Sequence, residues 1–469
     1  MASEALPVER LRAYLRELKP QAQALLVREI ERQTRGGSDF PGAHLILEAL
    51  RPGGRRNAQP EEPIGQPARL FFLPLKPFLI DGIAAARQLP GRIDCASLGP
   101  LWSWIGRDLL ADAAKSYSEQ VSAALLAADT ARADALARGF QDLVVGAIDR
   151  KLEDASNDER LRRRISAEIA APRAAEDLKV LVTALRHRNA LERIAARTPL
   201  TITNLADEQL ENIFNLLRRS TANVPDLLLP ALIVIMNRLG SFWQLVRLAI
   251  RSAESDIAAR IARAPFAPAV ALVFSQIRWD IEQLRAACRE GRIAQAVGVC
   301  RELHGAIRAL RTEMDLSADS AFGREVGALR GEVSNLLKAE IENTPGRVRR
   351  LLRPRPARDV APGSVLDAID VAETEARIAL VGACRHYAGE LAINQIAARV
   401  HGELQNSLDA GKSGLLDSLR NAGDADRPFR QSQVDAAVRF AGTLFGGEYA
   451  SLLAKAATLA AADRKSAKA

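Results

Sequence analysis

Cys300 and His304 stand four residues apart, a spacing that puts a thiol and an imidazole on one face of a helix, one turn from each other. Such a pair could supply an activated nucleophile or two ligands to a metal ion. Either chemistry needs further groups. A zinc site takes three or four converging ligands, and a thiolate nucleophile needs an oxyanion hole and a third residue to orient its base. Cys288 and the Cys384–x–His386 pair are the residues that could complete a metal set, yet no motif spacing links them to Cys300. All three cysteines fall on apolar stripes, where a free thiol serves as a small core residue. His44, His187 and His401 are isolated histidines in helical contexts.

Gly411–Lys412–Ser413–Gly414 suggests a phosphate loop, but that motif requires a glycine five residues before its lysine. Position 407 is Ser407, and no strand precedes the segment. The expected structure there is a helix end capped by Gly411. The sequence therefore assigns no catalytic residue, no metal ligand and no cofactor. An enzyme with a site assembled from distant helices remains the third of three readings.

Two clusters carry the others. Arg347, Arg349, Arg350, Arg353, Arg355 and Arg358 crowd into twelve residues with no acid between them. Guanidinium groups at this density suit phosphate, and binding of this kind weakens steeply with salt. The partner would be nucleic acid or an anionic lipid surface, with Leu351 and Leu352 available to touch a membrane or a groove. No aromatic residue lies within the cluster to stack on bases. The second cluster is aromatic: Phe71, Phe72, Phe78, Trp102 and Trp104 lie in a strap over 69–105, interrupted by Pro74 and Pro77. If exposed, these side chains would anchor a protein partner. If buried, they form an irregular apolar strap on neighbouring helices. The leading functional expectation is a non-catalytic interaction or scaffold protein that holds a protein partner through this region or through a groove between helices.

The elements that must position these clusters are helices. Aromatic residues make up only 4% of the chain, and the apolar content comes mainly from alanine, leucine, valine and isoleucine, which with arginine and glutamate favours helix over strand. No run alternates apolar and polar residues as a sheet requires. The predicted fold class is all-α, a multi-layer helical bundle or an irregular α-solenoid. At its centre stands the stretch 224–250. Leu227 to Met236 is apolar on every side, as in a helix surrounded by neighbours. Gly240 is read as a left-handed helix end, and Ser241 with Gln244 as a capping box opening the next helix. That helix is expected to wet Gln244, Arg247 and Arg251. Over 266–343, apolar residues recur at alternating spacings of three and four in three stripes, which predicts a three-helix bundle-like segment. A long helix is expected from Ser364 through Leu404, and a break in the final helical region near Gly446–Gly447.

The domain reading is N-terminal helices over 1–50, a linker or mobile loop at 51–68, a main helical body at 69–343, an Arg/Pro-rich linker at 344–363 and a C-terminal helical region at 364–469. The net charge of +8 is mild for 469 residues and matters only where clustered. The preference for arginine and alanine fits GC-rich codons and hence a bacterial source. Four scattered cysteines exclude a disulfide framework. The N-terminus lacks a secretory signal and no uncharged stretch reaches the roughly 18 residues of a membrane span, so the expected location is the cytoplasm.

Overall fold

The computed structural model describes residues 65–82, 89–155, 158–171, 173–317 and 319–467. The helices expected over 1–50 and nearly all of the linker expected at 51–68 lie outside the described residues. The chain is all-α. Its first group comprises α1 (Gln66–Phe72), α2 (Leu98–Trp104), α3 (Ala111–Leu126), α4 (Thr130–Asp154), α5 (Glu159–Ile169), α6 (Ala174–Arg186) and α7 (Arg188–Ala196). A 3-10 turn over Leu73–Phe78 leads into a two-residue strand β1 (Leu79–Ile80), which pairs in parallel with β2 (Ile93–Asp94). Among the described residues this short pair and two isolated bridges, Ile202 with Leu239 and Ile257 with Asp315, are the departures toward sheet from the sequence expectation. Aspartates open several of these helices, as their side chains satisfy amides left free in the first turn. Asp129 accepts from the amide of Arg132, and Asp158 from those of Arg160 and Leu161. Two arginines of α5 pair along their own helix, Arg163 with Glu159 and Arg164 with Glu168.

The centre follows with α8 (Asp207–Thr221), α9 (Leu228–Met236) and α10 (Val246–Ala253). Every residue of α9 from Pro230 to Met236 is buried. The helix packs on α7 and on the 73–78 turn, which explains its apolar character on all sides. The connection to α10 corrects two expectations. Gly240 does not take the left-handed conformation. A Cβ there would lie 3.3 Å from the backbone of Thr203, tighter than ordinary contact, so glycine favours the close approach. The amides of Gly240 and Ile202 donate to Ile202 and Arg238 respectively, both at 2.7 Å, and tie two loops together. Gln244 is buried, not wet. Its Nε2 donates to the carbonyl of Thr203, its Oε1 accepts from the amide of Leu205, and Ser241 makes no side-chain cap. A capping box and a buried loop clamp use the same residue types at the same spacing, and burial selected the clamp.

The three stripes become α11 (Pro268–Arg289), α12 (Ile293–Glu313) and α13 (Ala321–Ile341). Val270, Phe274, Ile277, Ile281 and Leu284 are all buried on α11. Gly291 takes φ +71° in the tight turn to α12. α9 and α10 pack against α11, and α11 packs along α12 and also against α13.

The remaining helices are α14 (Thr344–Leu352), α15 (Ala368–His386), α16 (Asn394–Arg420), α17 (Arg427–Phe445) and α18 (Gly447–Ala467). α15 packs against both α12 and α13, joining the C-terminal helices to the central body. The long helix expected through Leu404 is two, broken over 387–393 with Ala392 at φ +55°. The helix end expected at Gly411 is also absent, because α16 continues through Gly411 and Gly414 to Arg420. Buried Leu404, Leu408, Leu415 and Leu419 continue one stripe across that segment and outweigh a propensity cost of about 1 kcal/mol per glycine. With Lys412 inside a helix, no phosphate loop exists there. The break before α18 falls at Gly446, with φ +95°.

Candidate functional site

The segment read as an Arg/Pro-rich linker is folded along much of its length. α14 starts with Pro345 in its first turn and buries Val348, Leu351 and Leu352 against α15, α16 and α17. Burial of Leu351 and Leu352 removes them from any contact with a membrane. The opposite face carries Arg349 and Arg350, both exposed. Pro354 excludes Arg353 from helical conformation, and Arg353 ends the helix at φ −60°, ψ 125°. The chain then runs extended through Arg355 and Pro356.

Three side chains of α17 hold this extended run. Gln433 Nε2 donates to the carbonyls of Leu351 and Arg353, at 2.9 and 3.0 Å. Arg430 donates to the carbonyl of Arg355, and its Nε lies 3.2 Å from Asp426. The guanidinium of Arg355 sits 5.1 Å from the centre of the Phe429 ring, within cation–π range. Phe429, Arg430 and Gln433 are all buried. α17 thus fixes the carbonyls of Leu351, Arg353 and Arg355 inward, and the side chains of Arg353 and Arg355 remain in solvent with those of Arg349 and Arg350.

The result is a cleft of about 570 Å³ lined by Arg349, Arg350, Arg353 and Arg355, with Asp359 as its one carboxylate. Among the described residues no acid pairs with any of these four arginines. The other two members of the sequence cluster are engaged elsewhere. Arg347 is half-buried and lies 3.5 Å from Glu373, and Arg358 lies 3.8 Å from Asp359. Part of the positive charge faces the C-terminal end of α14, whose partial negative charge favours cations there. That interaction accommodates Arg349 and Arg350 but leaves their outward donors free for an anion. The structure therefore brings four of the six arginines together.

The aromatic cluster takes the second of its two readings, the buried apolar strap. Phe71, Phe72, Phe78 and Trp104 are buried, and Trp102 is half-buried. Phe71 lies 5.5 Å from both Trp102 and Phe140, and Tyr117 stacks on Phe140 at 4.4 Å. Trp104 donates its indole N–H to Glu168. These rings join α1, α2, α3 and α4 into a core and do not form an exposed anchor surface. The two prolines break the helix, but the apolar side chains around them still face inward.

Cys288, Cys300 and Cys384 are all buried and near one another. Burial pushes the thiols of Cys288 and Cys384 up to about 11 and about 12, and that of Cys300 up further. They stay protonated and unreactive at neutral pH. His304 stacks near Tyr387 at 4.7 Å. Among the described residues no group of three or more His, Cys, Asp or Glu side chains is placed to hold a metal ion, and no helix is long and apolar enough to cross a membrane.

Sequence reasoning missed the α17 residues. Their signal is a buried stripe, Phe429, Val434, Ala437 and Phe440, into which Arg430 and Gln433 are inserted at i, i+3 spacing. Polar residues within an apolar stripe require buried partners, and here the partners are the carbonyls of the arginine loop. Comparison with protein-family models, with curated proteins and with solved structures finds no match to this chain.

Proposed function

We propose that the protein binds the phosphate backbone of nucleic acid through the cleft formed by Arg349, Arg350, Arg353 and Arg355. The observation that supports this reading is the convergence of four arginines without acidic partners on a loop held by buried side chains of α17. Arginine forks match phosphate oxygens in pairs, and a loop held from behind loses little freedom on binding. Concave shape favours a strand over a flat membrane, and the burial of Leu351 and Leu352 leaves no apolar wedge for lipid. No exposed aromatic lines the cleft, so recognition would be independent of base sequence. With the aromatic residues buried, the scaffold reading falls back on a groove between helices. A cytoplasmic location goes with this proposal.

The test is fluorescence anisotropy of a labelled poly(dT) strand across a salt series. The comparison variant carries Arg349→Gln, Arg350→Gln, Arg353→Gln and Arg355→Gln, with folding checked by circular dichroism. Each neutralised phosphate contributes about −0.7 to the slope of log K against log salt for single strands, so a slope near −2 to −3 is expected. The folded variant should lose about tenfold or more in affinity. Equal binding by both proteins overturns the proposal, as does binding only to phosphatidylglycerol vesicles.

A further inference from the structure

A second cleft, of about 560 Å³, opens between the 73–78 turn, α4, α7 and the end of α9. Its volume lies within the range of small-molecule sites. Leu70, Phe78, Leu191 and Val234 supply an apolar wall. Leu73 stands at the mouth with 58% of its surface exposed, an apolar side chain left in water beside that wall.

The lip of the cleft is rigid. Pro74 and Pro77 fix two backbone angles in the turn. The carbonyl of Pro77 accepts two hydrogen bonds, from Asn237 Nδ2 at 2.6 Å and from Arg92 Nη1 at 2.9 Å. The cavity is therefore held open by bonds distant in sequence and does not depend on a ligand to form.

Its charge is not balanced. Arg138 makes a bidentate pair with Glu192, and Arg188 makes one with Asp142 behind the wall. Among the described residues Arg238 donates only to carbonyl and hydroxyl oxygens, those of Ala195 and Pro199 among them, and the exposed Lys76 has no bonded partner. Against these two cations the lining offers only Asp134. One net positive charge remains beside an apolar wall.

We infer that this cleft binds an amphipathic carboxylate, its apolar chain against Leu70, Phe78, Leu191 and Val234 and its carboxylate toward Lys76 and Arg238. The inference is independent of the arginine cleft. It is tested by isothermal titration of the full chain with decanoate, kept monomeric, and with decyltrimethylammonium as the cation of equal chain length. The variants are Leu73→Glu and Lys76→Glu, both at exposed positions, with folding checked by circular dichroism. Saturable one-site binding of decanoate is expected, weakened about tenfold or more in each variant, a loss of about 1.4 kcal/mol. The ammonium compound should show no saturable binding to the intact chain. Failure of decanoate to saturate the intact protein overturns the inference. So does undiminished binding in both variants, or equal binding of the cation.

Discussion

The side-chain amide of Gln433 lies 3.0 Å from the carbonyl oxygen of Arg353, joining the buried face of α17 to the loop that carries the positive charge. The same nitrogen reaches the carbonyl of Leu351 at 2.9 Å. One buried amide therefore holds the last turn of α14 and the first residue of the arginine loop together. The loop's geometry depends on a residue some eighty positions away, and anion binding should respond to changes that leave every arginine in place.

Gln433→Met keeps the side-chain length and removes both donors. Two carbonyls near the core then lose their partner, at about 1–3 kcal/mol for each group left unsatisfied. Urea denaturation should show a loss of about 2 kcal/mol or more. Anisotropy under native conditions should show weaker binding of the poly(dT) strand, although no charge has changed. Lower stability with unaltered affinity would mean that α17 supports the fold without positioning the arginines.

Asp280 predicts a dependence on pH. It is buried on α11, accepts one hydrogen bond from Gln276 at 3.0 Å, and has its carboxyl raised to about 7, first by burial and then by the charge of Glu302. The folded chain holds this proton up to about pH 7, whereas the unfolded chain releases it near pH 4. Between those values the folded state binds more protons, so this group's contribution to stability falls as pH rises. Asp280→Asn retains the acceptor and removes the charge. The variant should match the parent below about pH 4 and exceed it by on the order of 4 kcal/mol above about pH 7. Asp177, raised to about 6 by burial, is common to both proteins and cancels in the difference. Denaturant titrations at several pH values check the prediction; a constant difference across the range would refute it.

Much of the fold was legible because it rests on local periodicity. The stripes of α11 and α13 and the uniformly apolar α9 could be read directly, since their neighbours need only be apolar. What sequence could not show was the partner of each polar residue. Ser241 and Gln244 have capping spacing, yet Gln244 serves a loop some forty residues earlier. Gly411 resembles a helix end, yet a continuous leucine stripe carries α16 through it. The arginine cluster was legible as charge but not as a cleft, because the cleft is made by the α17 clamp. The aromatic strap was legible as apolar, and its burial depended on how α1 to α4 close around it.

Gly91 takes φ +71° just before β2, and a side chain there would place its Cβ 2.5 Å from Ile233 Cδ1 and 3.3 Å from Leu229 Cδ2. Two separate costs follow for Gly91→Ala. The left-handed backbone disfavours a Cβ by about 1–2 kcal/mol. Overpacking against α9 adds about 1–3 kcal/mol. The single variant should lose about 2–5 kcal/mol in urea denaturation. The two costs separate in a double-mutant cycle with Ile233→Val, which removes the Cδ1 atom that collides. Alone, Ile233→Val should cost about 0.5–1.5 kcal/mol. In the Gly91→Ala background it should cost less than that or stabilise the chain, because the space it opens accepts the new methyl group. The remaining loss then measures the backbone cost. Strict additivity of the two changes would mean that Gly91 is required for its φ alone and that α9 gives way without strain.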